Sequence, residues 1–148
     1  MINLISSSIA DIRIGNSKLN ERKSSRGLVR QHHKHISKLE GYGLHDYKTI
    51  FDMCENYNIE TAIKIRKNAQ TKAFGSPRRK REVIKYKKLG YEKWAKETEY
   101  GFRWKSTEGI FSAKKRIFGE TVRARKKRSA YKEVRRKYWF YNKLQEIT

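Results

Sequence analysis

From residue 46 onward the apolar positions fall into short periodic groups. Ile50, Phe51, Met53 and Cys54 mark a helix predicted over residues 46–56, with Asp46 placed to cap it. Residues 59–66 alternate Ile63 and Ile65 against Lys64 and Arg66, the pattern of a half-buried strand. A loop over residues 67–77 contains Gly75, Ser76 and the only proline, Pro77, whose fixed φ suits the first turn of a helix. That helix is expected over residues 78–89, closed by Gly90. A short helix carrying Trp94 follows over residues 91–98. Two longer helices come next. One runs from about residue 102 to Phe118 and stops at Gly119. The other runs from about residue 121 to Leu144, with Tyr131, Val134, Tyr138 and Tyr141 at helical spacing.

Residues 1–41 show no sustained period. Their serines, the His32, His33 and His35 cluster and scattered charge read as a poorly structured or unrelated lead, with one further strand around residues 35–39. The fold class expected is α/β and mostly helical: part of a sheet, few strands, then long helices. The expected division is a lead over residues 1–41 and an ordered domain over residues 42–148.

Charge changes this picture. The 148 residues suffice for one domain, and 37 Lys and Arg against 15 Asp and Glu leave a net charge of +22. Such a domain repels itself unless a polyanion relieves it, and nucleic acid is the obvious one. Residues 1–58 carry nine basic and six acidic residues, residues 59–148 twenty-eight and nine. The polyanion-facing surface is therefore expected in the second half. Charge alone fits a ribosomal or membrane-surface role equally well. Cys54, the only cysteine, excludes an internal disulfide and a cysteine-rich zinc site. The histidine cluster lacks partner ligands at metal-binding spacing. No apolar run approaches the roughly 18 residues of a membrane span, and residues 1–10 lack the basic lead of a secretory signal. The expected location is the cytoplasm, at the nucleoid, without membrane contact.

The most specific text is YGFRWKSTEGIFSAKKRIFGETV, residues 100–122. It resembles the C-terminal signature of insertion-sequence transposases of the DDE class, close to archaeal members. In that family a Tyr, an Arg, a Glu and a Lys lie around one helix; here Tyr100, Arg103, Glu108 and Lys115 take those places. Arg66, Lys67, Asn68 and Ala69, with Gly75, Ser76 and Pro77 beyond, also look like family text, and the likeness runs from about residue 46 to 144. It implies a partial ribonuclease-H-like catalytic domain that cuts and rejoins DNA strands. Two divalent metals, usually Mg²⁺, would activate the attacking oxygen and stabilise the leaving one. Three carboxylates must converge to hold them, because such ions take oxygen ligands. The resemblance makes Glu108 the third carboxylate, catalytic and metal-binding. It makes Arg103, Lys115 and Arg116 contacts to DNA, with Tyr100 beside them.

Helix geometry agrees in part. Glu108 and Lys115 are seven apart and share a face to within roughly 20°. Family spacing puts three residues between the Arg and the Glu, whereas Trp104, Lys105, Ser106 and Thr107 make four. On a regular helix that turns Arg103 about 140° away. Either the helix starts after Arg103 or a π-bulge restores the alignment. A solvated helix face is the alternative for Glu108 and Lys115, as packing is for Tyr100 and plain capping for Asp46.

The other two carboxylates are missing from the text. Only Asp11, Asp46 and Asp52 occur. The resemblance sets Asp46 at a non-catalytic aspartate and puts Tyr42 where a catalytic aspartate belongs. A truncated or frame-disrupted transposase is therefore expected, inactive by itself. Three dense basic runs, Arg78, Arg79, Lys80, Arg81, then Arg123, Arg125, Lys126 with their neighbours, then Arg135, Arg136, Lys137, read as phosphate contacts independent of sequence, with Tyr131, Tyr138, Trp139, Phe140 and Tyr141 interleaved either to back that face or to pack on the core. Expected partners are transposon-end DNA and a full-length transposase or a second copy. The alternative is a non-enzymatic nucleic-acid binder, either ribosome-associated or a regulator of a full-length enzyme.

Overall fold

The computed structural model describes residues 1–16, 18–72, 75–101 and 104–147, the side chains of residues 104–108 excepted. The fold is mixed α/β and mostly helical, with two small sheets. Its elements are β1 (Ile2–Asn3), β2 (Ser8–Ile9), α1 (Glu21–His32), β3 (Lys38–Gly41), α2 (Lys48–Asn56), β4 (Glu60–Ile63), α3 (Pro77–Glu97), α4 (Trp104–Phe118) and α5 (Lys127–Ile147). They form two compact units: residues 21–102, and residues 1–20 together with 103–148. The chain thus does not divide at residue 41, where the sequence placed the boundary.

The first unit is built on a β–α–β turn. Strands β3 and β4 pair in parallel, with Lys38 opposite Glu60 and Gly41 opposite Ile63. Parallel neighbours need a crossover, and α2 supplies it. Ile50, Phe51 and Cys54 fall on one side of α2 and are fully buried. They pack with Val29 of α1, Ile59, Ile63 and Ile65 around β4, and Val83 of α3. Strand β4 is not half-buried as its alternation suggested: Thr61, Ala62 and Ile63 are all covered, on both faces.

Helix α3 starts and breaks where its punctuation says. Ser76 caps it, its Oγ accepting from the Arg79 N–H at 3.4 Å, and Pro77 stands in the first turn. Gly90 has φ 74° and ψ 167°, so the helix is two limbs across a kink. Only glycine takes this conformation without strain. The second limb buries Trp94 against Tyr86 and Tyr100, both ring centroids 5.0 Å away.

The second unit packs the β1–β2 hairpin on α4 and α5. Ile9, Ile110 and Tyr141 form its core, flanked by Ile2, Ile12, Ala113, Phe118 and Tyr138. Asn142 on α5 acts as a substitute strand. Its Oδ1 accepts from the Ile9 N–H at 2.9 Å and its Nδ2 donates to the Ile9 carbonyl at 2.8 Å. That satisfies both backbone groups of Ile9 in a short strand. Helix α4 ends at Gly119, φ 73°, as expected.

Several expectations need correction. Residues 1–41 are not loose: they hold the hairpin, α1 and β3. Asp46 is not the cap of α2. Tyr47 occupies the cap position without a side-chain hydrogen bond, and Asp46 is buried in an ion pair described below. Helix α5 begins at Lys127, not near residue 121, and Leu144 on it is exposed.

Candidate nucleic-acid interface

The late start of α5 is fixed by one carboxylate. Glu133 accepts from the backbone N–H of Arg123 at 3.0 Å and of Ala124 at 2.9 Å, and pairs with Lys137 at 2.9 Å. Lys137 in turn donates to the Thr121 carbonyl at 2.9 Å. The segment before the helix is thereby held folded back along α5, and its backbone groups have partners other than helix. The Lys137 hydrogen bond, followed by those from Ala124 and Arg123, holds the Glu133 carboxyl down at about 2. Because the folded value lies below the usual ~4.3, the contact stabilises the fold fully above that value and is lost as pH falls through about 2. The amide shifts of Arg123 and Ala124 should therefore titrate together with a midpoint near 2. A midpoint near ~4.3, the ordinary glutamate value, would mean that Glu133 does not hold the segment.

Pinning this segment leaves its cations outward. Arg123, Arg125, Lys126, Lys127 and Arg128 are exposed, as are Lys132, Arg135 and Arg136 on α5. Lys115 and Arg116 in the last turn of α4 are exposed too, Lys115 with its Nζ 3.1 Å from Glu120. Cations in a last turn also suit the negative end of the helix dipole. The second unit thus carries a dense solvent-facing display of positive charge. Among the predicted DNA contacts, the structure brings Lys115, Arg116, Arg123, Arg125 and Lys126 onto this unit.

The other predicted contacts fare differently. Arg79 is not a surface cation. Its Nε lies 2.6 Å from Asp46 Oδ1 and its Nη2 3.1 Å from Oδ2, a two-pronged pair with side-chain exposures of 13% and 0%. Asp46 Oδ2 also accepts from the Arg66 N–H at 3.0 Å, while Arg66 Nε reaches the Gly43 carbonyl at 2.8 Å. These bonds tie the start of α3 to the carboxyl ends of β3 and β4. Arg78 is mostly covered, 3.5 Å from Glu82 and 3.5 Å from Thr61 Oγ1. Arg81 is exposed but paired with Glu55. Tyr100 is 7% exposed and packs its ring on Trp94 and Tyr91; burial pushes its phenol well above the ordinary value. Packing, the alternative weighed for it, is where the structure puts this ring. Arg103 lies outside the described residues. Glu108 belongs to α4, but its side chain lies outside them as well.

Asp46 and Asp52 both have partners within the fold. Both oxygens of Asp46 are occupied by the Arg79 fork and the Arg66 N–H. Asp52 accepts from Ser76 Oγ at 2.5 Å, which holds the cap of α3 against α2. The resemblance gives neither of these acids a metal-holding role, and the side chain of Glu108, to which it gives one, lies outside the described residues. No helix among the described residues is long and apolar enough to cross a membrane.

Two of the aromatics that the sequence interleaves with the basic runs stand exposed inside the cationic display instead of packing on the core. Trp139 and Phe140 are 55% and 51% exposed. The signal was present: with Tyr141 inward, Phe140 and Trp139 point about 100° and 160° away on a regular helix. Tyr138, one turn before Tyr141, joins the core. A scan against family models matches none, and no curated protein and no solved structure matches the chain.

Proposed function

We propose that this chain is the DNA-holding part of an insertion-sequence DDE transposase and by itself binds DNA without cutting it. The observation that carries the reading is the solvent-facing cation display from Lys115 to Arg136, set directly on and after the family-like run of residues 100–122. Lys and Arg held outward on rigid helices neutralise phosphates and release counterions, independent of base sequence. The parallel β3–α2–β4 turn followed by long helices is compatible with part of a ribonuclease-H-like domain. In this reading Glu108 is the third metal-binding carboxylate and Arg103 a DNA contact. The commitment of Asp46 to Arg79 favours loss of the cut, since Asp46 then cannot stand in for the missing first or second acid beside Glu108. A chain that keeps its phosphate contacts and not its acids would occupy transposon ends and inhibit a full-length enzyme.

Incubating the chain with transposon-end duplex and Mg²⁺ or Mn²⁺ should give a shifted complex and no nicked product. Cleavage that disappears in Glu108→Gln would overturn the inactive reading while upholding the family. Tighter binding to structured RNA than to duplex DNA would favour a ribosome-associated protein instead.

A further inference from the structure

Exposed large aromatics on a charged helix need a reason, because leaving them in water forgoes the gain from burying them. Trp139 and Phe140 stand at 55% and 51% exposure, rings 5.0 Å apart in an edge-to-face pair. They are not isolated on an apolar face. Arg135 and Arg136 lie one turn before them on α5, Lys132 a further turn back, and Lys143 one turn after, all exposed, with Lys143 Nζ 2.7 Å from Glu146. Phe140 also borders a hollow of about 470 Å³ that Phe118 shares, with Ser129, Lys132, Arg136 and the Glu133–Lys137 ion pair on its walls. That size is within the range of small-molecule sites.

We infer that the Trp139–Phe140 pair and the adjoining hollow stack unpaired bases of a DNA strand whose phosphates lie along the α5 cations. The inference rests on the DNA-binding reading and adds the strand state that this surface prefers. Cations at one-turn intervals on either side of π-faces match a single strand, in which charged phosphates flank each exposed base. Duplex DNA stacks its bases on one another and offers an aromatic ring no open face. Ring stacking on unpaired bases accepts any sequence, as every base has a π-face. The surrounding charge argues against an apolar protein partner, which would gain nothing from Lys132, Arg135, Arg136 and Lys143 around the rings. A melted or nicked transposon end supplies such a strand.

The test uses the full chain and fluorescence anisotropy with an oligothymidylate of about 12 nucleotides, within the ~4–16 nucleotides such sites occupy, alone and paired with its complement. Replacing both rings, Trp139→Leu with Phe140→Leu, should weaken single-strand binding about tenfold or more and leave duplex binding within about twofold. Leucine keeps apolar bulk and removes only the π-face. The salt slope should not change in this variant, whereas Arg136→Gln should reduce the single-strand slope by about 0.7. Equal loss on both DNAs, or no loss on either, would overturn the stacking role. So would a variant that binds the single strand normally but fails to self-associate or to bind anionic phospholipid vesicles, which would make the rings a docking face for a second copy or a lipid surface. Failure of the wild-type chain to bind either DNA would instead remove the DNA-binding reading beneath it.

Discussion

Raising the salt from about 50 to 200 mM should weaken duplex DNA binding about 10³-fold if six phosphates are contacted, and about 10⁵-fold if ten are. The exposed cations of the second unit are enough for either case: Lys115 and Arg116, the run from Arg123 to Arg128, and Lys132, Arg135 and Arg136. Each neutralised phosphate contributes about 0.9 to the slope of log affinity against log salt. A duplex cannot wrap every one of these side chains, so the lower figure is the safer expectation. Surface ion pairs such as Lys115–Glu120 give up little on rearrangement, as exposed pairs contribute roughly 0–1 kcal/mol. Filter binding or anisotropy across that salt range reads the slope directly. A slope near one would mean that the charge display does not meet phosphates.

Truncating Arg79 should do something quite different. Arg79→Ala is expected to destabilise the first unit by about 3–5 kcal/mol, because it strands the Asp46 carboxylate in a site with no solvent access. For a unit of this size that lowers the melting temperature by more than about 10 °C. Arg79→Lys should restore little, since an ammonium cannot grip both carboxylate oxygens in the plane that Nε and Nη2 occupy. Asp46→Leu with Arg79→Met should recover most of the loss, because apolar replacements of a buried pair are often neutral. A deficit of about 1–3 kcal/mol should persist, for the Arg66 N–H then has no acceptor. Thermal melts of these variants beside the wild-type chain decide this. A fold indifferent to Arg79→Ala would make Arg79 a DNA contact after all.

These two arginine roles show what the sequence could and could not say. Arg78, Arg79 and Arg81 sit in one dense run, and text records their charge without their direction. Arg79 turns inward because Asp46 waits 33 residues earlier, a pairing that only the folded backbone brings about. The punctuation was legible where a residue restricts its own backbone: Pro77 and Ser76 at the start of α3, Gly90 at its kink, Gly119 at the end of α4. So was α2, whose apolar spacing is strong. Helix α1 was not, since Val29 is its one buried residue among the charges. The two-residue strands β1 and β2 carry no period to read, and they are held by Asn142 from the far end of the chain. On α5 the buried Tyr141 was visible as helical spacing, yet the exposure of Trp139 and Phe140 followed only once that register was fixed.

The direct test is the salt slope of a charge-stripped chain. Arg123, Arg125, Lys126, Arg135 and Arg136, all replaced by Gln, should leave the fold in place, because none of these side chains belongs to either core. If these residues hold DNA phosphates, the slope on duplex DNA should fall by about 0.9 for each phosphate no longer neutralised, and affinity should collapse at physiological salt. A variant that binds duplex DNA with the wild-type slope and affinity would contradict the assignment of this surface to DNA.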